Sequence, residues 1–462
     1  MMGHTRSSLA ILTEFFSAAH IEATARRTGF VQRASKITGK TFLALVTFGV
    51  WGEAKTTLAQ LAAKVRQVGD QVDVSPEAIH QRMNHRALAF LQELIRTAFA
   101  KIKACQTVCD ERLFASFAKV HIADSTGFEL PASLKDAFPG AGGSASQAGA
   151  KIQLVWEYKS RTFAHFALMP WNMPDNRYID TVVTLAQKDA LFLFDLGYFK
   201  LQAFASIAAA NAYFLSRLNH QTQIFAAVAG QLHPVELAGF LKTVKSNLIE
   251  RPIFLGATER VASRLIAARM PEAIVNERRR VARKNAKKKG YTPSQAHLAL
   301  LAWNLFITNV PPTLWTPETV IKVYPLRWQV ELIFKSWKSS LHLASITTKK
   351  ADTTLCYLYG RMLLIVLTYA LCPQRCATLW WQKKRELSLL KLVRHFQALA
   401  EWWMQAIFQS ELALRRFLHH ACVTAERLAV KASRRRQTTA QILHESLSTQ
   451  NPSTELAEAL SA

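Results

Sequence analysis

The chain has 462 residues, 58 Lys and Arg against 32 Asp and Glu, a formal charge of +26, and an apolar half. That length is far beyond a small stapled scaffold, and the apolar fraction excludes a disordered basic tail protein. So large a positive excess on a folded body points to a polyanionic partner, either nucleic acid or an anionic membrane.

The first 115 residues read as helical. Leu9–Leu12 is apolar, but Glu14 interrupts it and no signal-peptide pattern follows. Leu58, Leu61, Ala62 and Val65 recur at helical spacing. Val68-Gly69-Asp70 breaks that pattern, and Ser75-Pro76-Glu77 reads as an N-cap with Pro at the first helical position. Two short helices joined by a turn fit a helix-turn-helix or a plain helical bundle. Cys105/Cys109, like Cys372/Cys376 further on, has C-x3-C spacing without a matching His cluster. These cysteines read as reduced thiols rather than zinc ligands or a disulfide framework.

The pattern changes near residue 119. Lys119–Asp124 alternates as a strand does and ends in an aspartate. Lys151–Tyr158 and Phe163–Met169 follow as two more strands, with Lys159-Ser160-Arg161 as the turn between them. A helix is expected over Tyr178–Ala190. Leu191–Phe194 is then a continuous apolar run before Asp195-Leu196-Gly197, as a strand buried on both faces would be. A helix over Phe199–Ala210 and a strand over Tyr213–Leu218 complete a mixed α/β pattern.

From 219 to 312 the pattern loosens. Arg278, Arg279, Arg280, Lys287 and Lys288 belong to a basic run with a single acid, Glu277. Such a run suits phosphate contact through counterion release, or simply a solvated helix face. Leu298–Val310 reads as a strand or buried segment. Met362–Cys372 is an eleven-residue apolar stretch broken by Thr368, short of the roughly 18 a spanning helix requires, and reads as a buried core helix. No membrane partner is therefore expected, and the protein reads as cytoplasmic. The tail from Gln437 is polar, and Arg434-Arg435-Arg436 precedes it.

Chemistry concentrates on the acids. Asp124 and Asp195 each end an apolar strand, where open sheets place functional groups, although either could cap the next helix. In so basic a chain, paired acids suit a divalent cation that in turn holds phosphate oxygens. A helix expected over Pro317–Leu341 carries Tyr324, Arg327, Glu331 and Lys338. At about 100° per residue these four share one face within roughly a 60° arc, with Pro325 suggesting a break or restart. The flanking Leu326, Trp328, Val330, Leu332, Ile333, Phe334 and Trp337 argue that this stripe lines a cleft rather than open solvent.

The spacing Tyr-x2-Arg-x3-Glu-x6-Lys resembles the Y-R-E-K signature of bacterial insertion-sequence transposases of the DDE class. Asp124 stands in Asp-Ser-Thr after the first strand, where Asp-Gly-Thr is often found; Asp195 stands in Asp-Leu-Gly-Tyr-Phe, and Arg217 follows. The resemblance covers roughly residues 45–375. It implies a ribonuclease-H-like mixed sheet flanked by helices, interrupted by a β-rich insertion, with helical N- and C-terminal regions. The expected parts are a DNA-binding region at 1–115, the first part of the core at 116–218 and an insertion at 219–312. The second part of the core follows at 313–375, and a helical region at 376–462 is the candidate for dimerisation.

The resemblance further implies that Asp124, Asp195 and Glu331 hold two Mg²⁺ ions, replaceable by Mn²⁺. Tyr324, Arg327 and Lys338 would contact phosphates near the cleavage point, as guanidinium and ammonium chemistry permits. Cleavage would proceed through a DNA hairpin. Trp303 would stack on a flipped base, or else is a core tryptophan. The expected partners are terminal inverted repeats and target DNA, with a homodimer pairing two ends through helices that include Trp402-Trp403. A catalytically idle DNA-binding relative and another ribonuclease-H-like nuclease are the alternatives.

Overall fold

The computed structural model describes residues 8–51, 56–68, 72–103, 112–142, 146–340, 348, 350–370 and 385–431. The cysteine pairs Cys105/Cys109 and Cys372/Cys376, the three arginines at 434–436 and the tail lie outside these residues.

The N-terminal helices are α1 (Ser8–Phe15), α2 (Ala18–Arg27), α3 (Gly39–Val46), α4 (Leu58–Val68), α5 (Pro76–Arg82) and α6 (His85–Lys103). Their starts are written locally. Ser17, Thr38 and Ser75 each cap a first turn by accepting a backbone N–H, and Pro76 opens α5. Ile79 and Met83, four residues apart, are buried. Phe30 packs between Phe42 and Phe90.

Strand β1 (Lys119–Leu130) is followed by β2 (Ala148–Glu157) and β3 (Thr162–Pro170), an antiparallel pair. Then come α7 (Asp175–Val183), β4 (Ala190–Leu193), α8 (Leu201–Ala209) and β5 (Tyr213–Arg217). Helix α7 is shorter than the expected span. Its last turn is closed by the Thr184 hydroxyl on the Thr181 carbonyl, and Asp189 takes a left-handed conformation before β4.

Residues 219–312 supply β6 (Ile224–Val228), β7 (Gln231–Pro234), α9 (Leu237–Thr243), β8 (Leu248–Leu255), β9 (Val261–Arg269), α10 (Glu272–Lys288), α11 (Gln295–Leu300) and β10 (Trp303–Thr308). The expected single segment at 298–310 is thus the end of a helix and then a strand. The expected helix at 317–341 is also interrupted. Helix α12 (Pro317–Val323) gives way to a 3-10 turn at Tyr324–Arg327, and α13 (Trp328–Ser340) follows. Pro325 has no N–H to continue the α-helical ladder, which accounts for the tighter turn. The C-terminal helices are α14 (Ala351–Ala370), α15 (Leu389–Ala398), α16 (Ala400–Gln409) and α17 (Glu411–Leu428).

The chain divides into two compact units. One comprises 1–109, 125–173 and 330–435, and the other 110–124, 174–329 and 436–462. In the first, β2 lies between β3 and β1. Trp337 of α13 is fully buried against Phe163, Phe166, Phe334 and Tyr369. On the helix with Trp402-Trp403, Trp403 is fully buried among Phe16, Phe48 and Phe417 of its own unit, while Trp402 is 40% exposed. An apolar ring that fills its own bundle is not free to bury itself elsewhere. Among the described residues no helix is long and apolar enough to cross a membrane; α14 carries Arg361 and packs on α6 and α3 as core.

In the second unit the strands run β1-β4-β5-β10-β9-β8-β6-β7. Strands β1, β4 and β5 are parallel neighbours, and from β10 onward the pairing is antiparallel. All four residues of β4 are buried, as its apolar run requires. Arg264 on β9 pins the segment that leads into α12. It is buried, ion-paired with Glu250, and donates to the Val310 and Trp315 carbonyls.

Gly360, inside α14, marks the tightest helix approach. A Cβ there would stand 2.0 Å from the Val46 carbonyl oxygen. Gly360→Ala raises helix propensity by about 1 kcal/mol, yet it must push α14 off a backbone atom, at a cost of about 1–3 kcal/mol. A lower thermal midpoint is therefore expected, and a midpoint that rises would refute this close approach.

Candidate active site

The two aspartates meet through register, although Asp124 lies inside β1, which runs on to Leu130, and does not end its strand as expected; Asp195 does follow the end of β4. Asp124 and Asp195 are 71 residues apart, and β1 pairs with β4 at the same offset, from Lys119 with Ala190 to Ile122 with Leu193. Both acids therefore stand two residues beyond the last pair, at the same level of neighbouring parallel strands. Asp195 is fixed by its own turn, its Oδ1 accepting the Gly197 N–H at 2.8 Å. Asp124 Oδ2 accepts from Arg327 Nη1 at 3.0 Å. That ion pair is largely withdrawn from water, with side-chain exposures of 14% and 10%.

Tyr198, five residues beyond the end of β4, is buried. Burial first, and then the negative charges of Asp175, Asp124 and Asp195, push its hydroxyl well above the ordinary tyrosine range. Asp175, at the start of α7, is an acid the sequence reading did not select. Its Oδ2 and the Oδ1 of Asp195 both border the space a Cβ on Gly197 would occupy. Only its position before an expected helix could have signalled it.

Tyr324 is buried and packs its ring on Phe306 at 5.0 Å. Burial raises its hydroxyl above the usual value; Arg327 and Arg217 pull it back, and Asp195 pushes it up. Tyr324 thus lies within electrostatic reach of two cations and one acid. Arg217 sits opposite Phe306 across β5 and β10, so the two share a face. Its guanidinium donates to Asn304 Oδ1 at 2.9 Å, and Arg278 of α10 donates to the same oxygen at 2.8 Å.

The remaining residues of the basic run are disposed differently. Arg279 donates to the Leu298 carbonyl, and Arg280 is ion-paired with Glu277. Lys287 and Lys288 are exposed. Trp303 is 5% exposed, with the Arg269 guanidinium 4.5 Å above its ring. It alternates with Asn304 along β10 and so faces the other side of the strand.

Glu331 and Lys338 stand on α13 in the other unit, Glu331 partly exposed and Lys338 exposed. Trp328 and Leu332, expected among the buried residues of this helix, are 51% and 45% exposed. They lie four apart, on a side away from the buried Val330, Ile333 and Trp337. Among the described residues no cluster of three or more His, Cys, Asp or Glu side chains is assembled for a metal ion.

Residues 115–367, more than half of the chain, match the transposase DDE domain family. The chain is 30% identical over 397 residues to the transposase for insertion sequence element IS231D of Bacillus thuringiensis subsp. finitimus, with 82% of each chain covered. It is also 27% identical over 452 residues to the transposase for insertion sequence element IS1151 of Clostridium perfringens, covering 93% of this chain and 94% of that one. This chain belongs to the DDE transposase family. The expected mixed α/β sheet with helical regions at both ends is the architecture observed. DDE transposases act on DNA, catalyse its cleavage and strand transfer, and generally depend on divalent metal ions.

In this DDE transposase the burial of Tyr324 sets the form of its hydroxyl. The raised value means that the neutral phenol, a hydrogen-bond donor, persists where an ordinary tyrosine has begun to ionise. Spectrophotometric alkaline titration of the wild type minus Tyr324→Phe should show this group ionising above the ordinary range. Ionisation at the ordinary value would contradict the burial seen here.

Proposed function

We propose that the protein moves an insertion sequence by cut-and-paste transposition, with Asp124, Asp195 and Glu331 as its catalytic acids. It binds the terminal inverted repeats of its own element, cleaves the strands through a DNA hairpin and joins them to target DNA. The observation that carries this reading is the common level of Asp124 and Asp195 on β1 and β4, with Arg327 held on Asp124.

The donor set fits a hard divalent cation. Two carboxylates stand at one level of adjacent strands, and oxygen ligands of this kind suit Mg²⁺, with Mn²⁺ able to replace it. Asp124, Asp195 and Glu331 would hold two such ions, which when bound supply Lewis-acid stabilisation of phosphate oxygens and activation of the attacking hydroxyl. The protein's own contribution is positional. The Gly197 N–H orients Asp195, and Arg327 neutralises Asp124 until a cation does so. Tyr324, Arg327 and Lys338, the Y-R-E-K companions of Glu331, would then bind phosphate oxygens around the scissile bond.

The parts at 116–218 and 313–375 form the catalytic core in this reading, with 219–312 as the insertion. The region 1–115 reads the inverted repeats. A groove beside α5 supports that role, lined by Arg33, Lys36, Gln81, Arg82, Asn84 and Arg86. Pairing two ends requires a homodimer, for which the region 376–462 is the candidate contact, and the work is done in the cytoplasm. Arg279, Arg280, Lys287 and Lys288 would add contacts along the DNA backbone. Stacking of a flipped base on Trp303 would first require Arg269 to leave its ring.

Asp124→Asn, Asp195→Asn and Glu331→Gln are each expected to lower Mg²⁺-dependent cleavage of a terminal-repeat duplex by about a thousandfold. Binding of the duplex should persist, because losing an acid removes repulsion from phosphate. Undiminished cleavage by any one of them would remove that residue from the triad.

Arg327→Gln separates two effects. Without DNA it deletes a cation that competes for Asp124, so Mn²⁺ followed by calorimetry should bind several-fold more tightly (about 1 kcal/mol, well below the unscreened pair energy). End cleavage should nevertheless fall about a hundredfold as a phosphate contact is lost. Weaker Mn²⁺ binding would show that Arg327 supports the cation site instead of competing for it.

A further inference from the structure

Two arginines of the second unit share one neutral acceptor. Arg217 ends β5, and Arg278 lies in the second turn of α10. Both guanidiniums donate to Asn304 Oδ1, at 2.9 and 2.8 Å. Among the described residues neither forms an ion pair with a carboxylate. Asn304 is 7% exposed, so its amide oxygen meets both cations where water is scarce. Arg278 is half-buried, and burial together with the charge of Arg217 makes its protonation harder than usual. Each of those costs would be lower if a carboxylate stood where Asn304 stands.

The arrangement has a direction. Arg217 is opposite Phe306, and Asn304 is two residues from Phe306 on the same strand, so all three share one face of the sheet. The ring of Phe306 carries Tyr324, whose hydroxyl is influenced by Arg217, Arg327 and Asp195. The arginine pair therefore adjoins the site of the two acids. Two guanidiniums, each with further N–H groups and no carboxylate partner, form a fork suited to one tetrahedral, doubly accepting anion.

We propose that Asn304 is a positioning residue which gathers Arg217 and Arg278 into a seat for a single backbone phosphate of the DNA beside the reacting one. This rests on the DNA-cleaving reading of the acids and adds to it a residue that makes no phosphate contact of its own. An amide is the apt choice for such a role. Its oxygen orders two cations without neutralising them, and the anion they lack is left for the substrate to provide. A carboxylate would order them equally well and close the seat.

Asn304→Asp tests that distinction. The probe is a duplex bearing the terminal inverted repeat of the element, with binding measured across a salt series and folding followed by thermal melting. Satisfied internally, the arginines should release the phosphate. End affinity is expected to fall about tenfold at low salt, and the slope of log K against log salt to become shallower by about one. The melting midpoint should hold or rise, because a buried like-charge pair gains its counterion.

A purely structural asparagine predicts the opposite pairing, with stability altered and the salt slope unmoved; that result overturns the proposal. Arg278→Gln gives a second reading on a helix that keeps its other contacts. It should reduce the slope by about one in the wild-type background and by nothing further in Asn304→Asp, and full additivity of the two also overturns the proposal. The acid assignment is read separately, from cleavage by Asp124→Asn. Unchanged cleavage there refutes that assignment, while the salt slope of Asn304→Asp still decides the seat.

Discussion

Two carboxylates at the same level of adjacent parallel strands repel each other, and both are partly withdrawn from the water that would screen them. The unit that carries both acids is organised around that repulsion. Arg327 answers it on one side by pairing with Asp124 in a nearly buried contact, and the Gly197 N–H answers it on the other by holding Asp195. In the proposed reading a divalent ion would bridge the two acids more closely than a guanidinium and an amide N–H can.

The distant parts of the second unit act on the same geometry. The 3-10 turn at Tyr324–Arg327 exists because Pro325 stops the α-helical ladder, and it carries the arginine that reaches Asp124. Its approach is set from β9, where Arg264 binds the carbonyls of Val310 and Trp315 just before α12. A buried arginine that bonds two backbone oxygens and an acid is costly to break. The turn with Tyr324 and Arg327 is thereby tied to the sheet that holds the acids, all within one unit.

What could be read from the amino acids followed locality. The strands around Asp124 and Asp195 were legible because each acid follows a short apolar run, although β1 continues past Asp124 to Leu130, and the break at Pro325 because proline has no N–H. The burial of the helix through Met362 followed from its composition. Pairings between distant segments left no such trace. Nothing in 219–312 announces that β10 lies against β5, or that β9, β8, β6 and β7 continue the sheet beyond it. Asn304 was therefore invisible as a partner of Arg217, 87 residues away, and Arg278 was readable only as one member of a basic run. The burial of Trp403 left no trace for the same reason, since a tryptophan pair in a helix looks alike whether it faces another chain or its own core.

The charge excess takes on a different meaning once placed. Much of the +26 is spread over exposed residues such as Lys287 and Lys288, where it contributes long-range attraction and little geometry. The site itself is separated by sign. Asp124 and Asp195 form an acidic end, Arg217 and Arg278 a basic one, and Tyr324 feels both while burial keeps it neutral. In the proposed reading, a phosphodiester accompanied by divalent cations would bring negative charge to the arginines and positive charge to the acids, so one ligand would serve both ends together. The energy of binding DNA would then be released at the very acids and arginines to which cleavage is assigned.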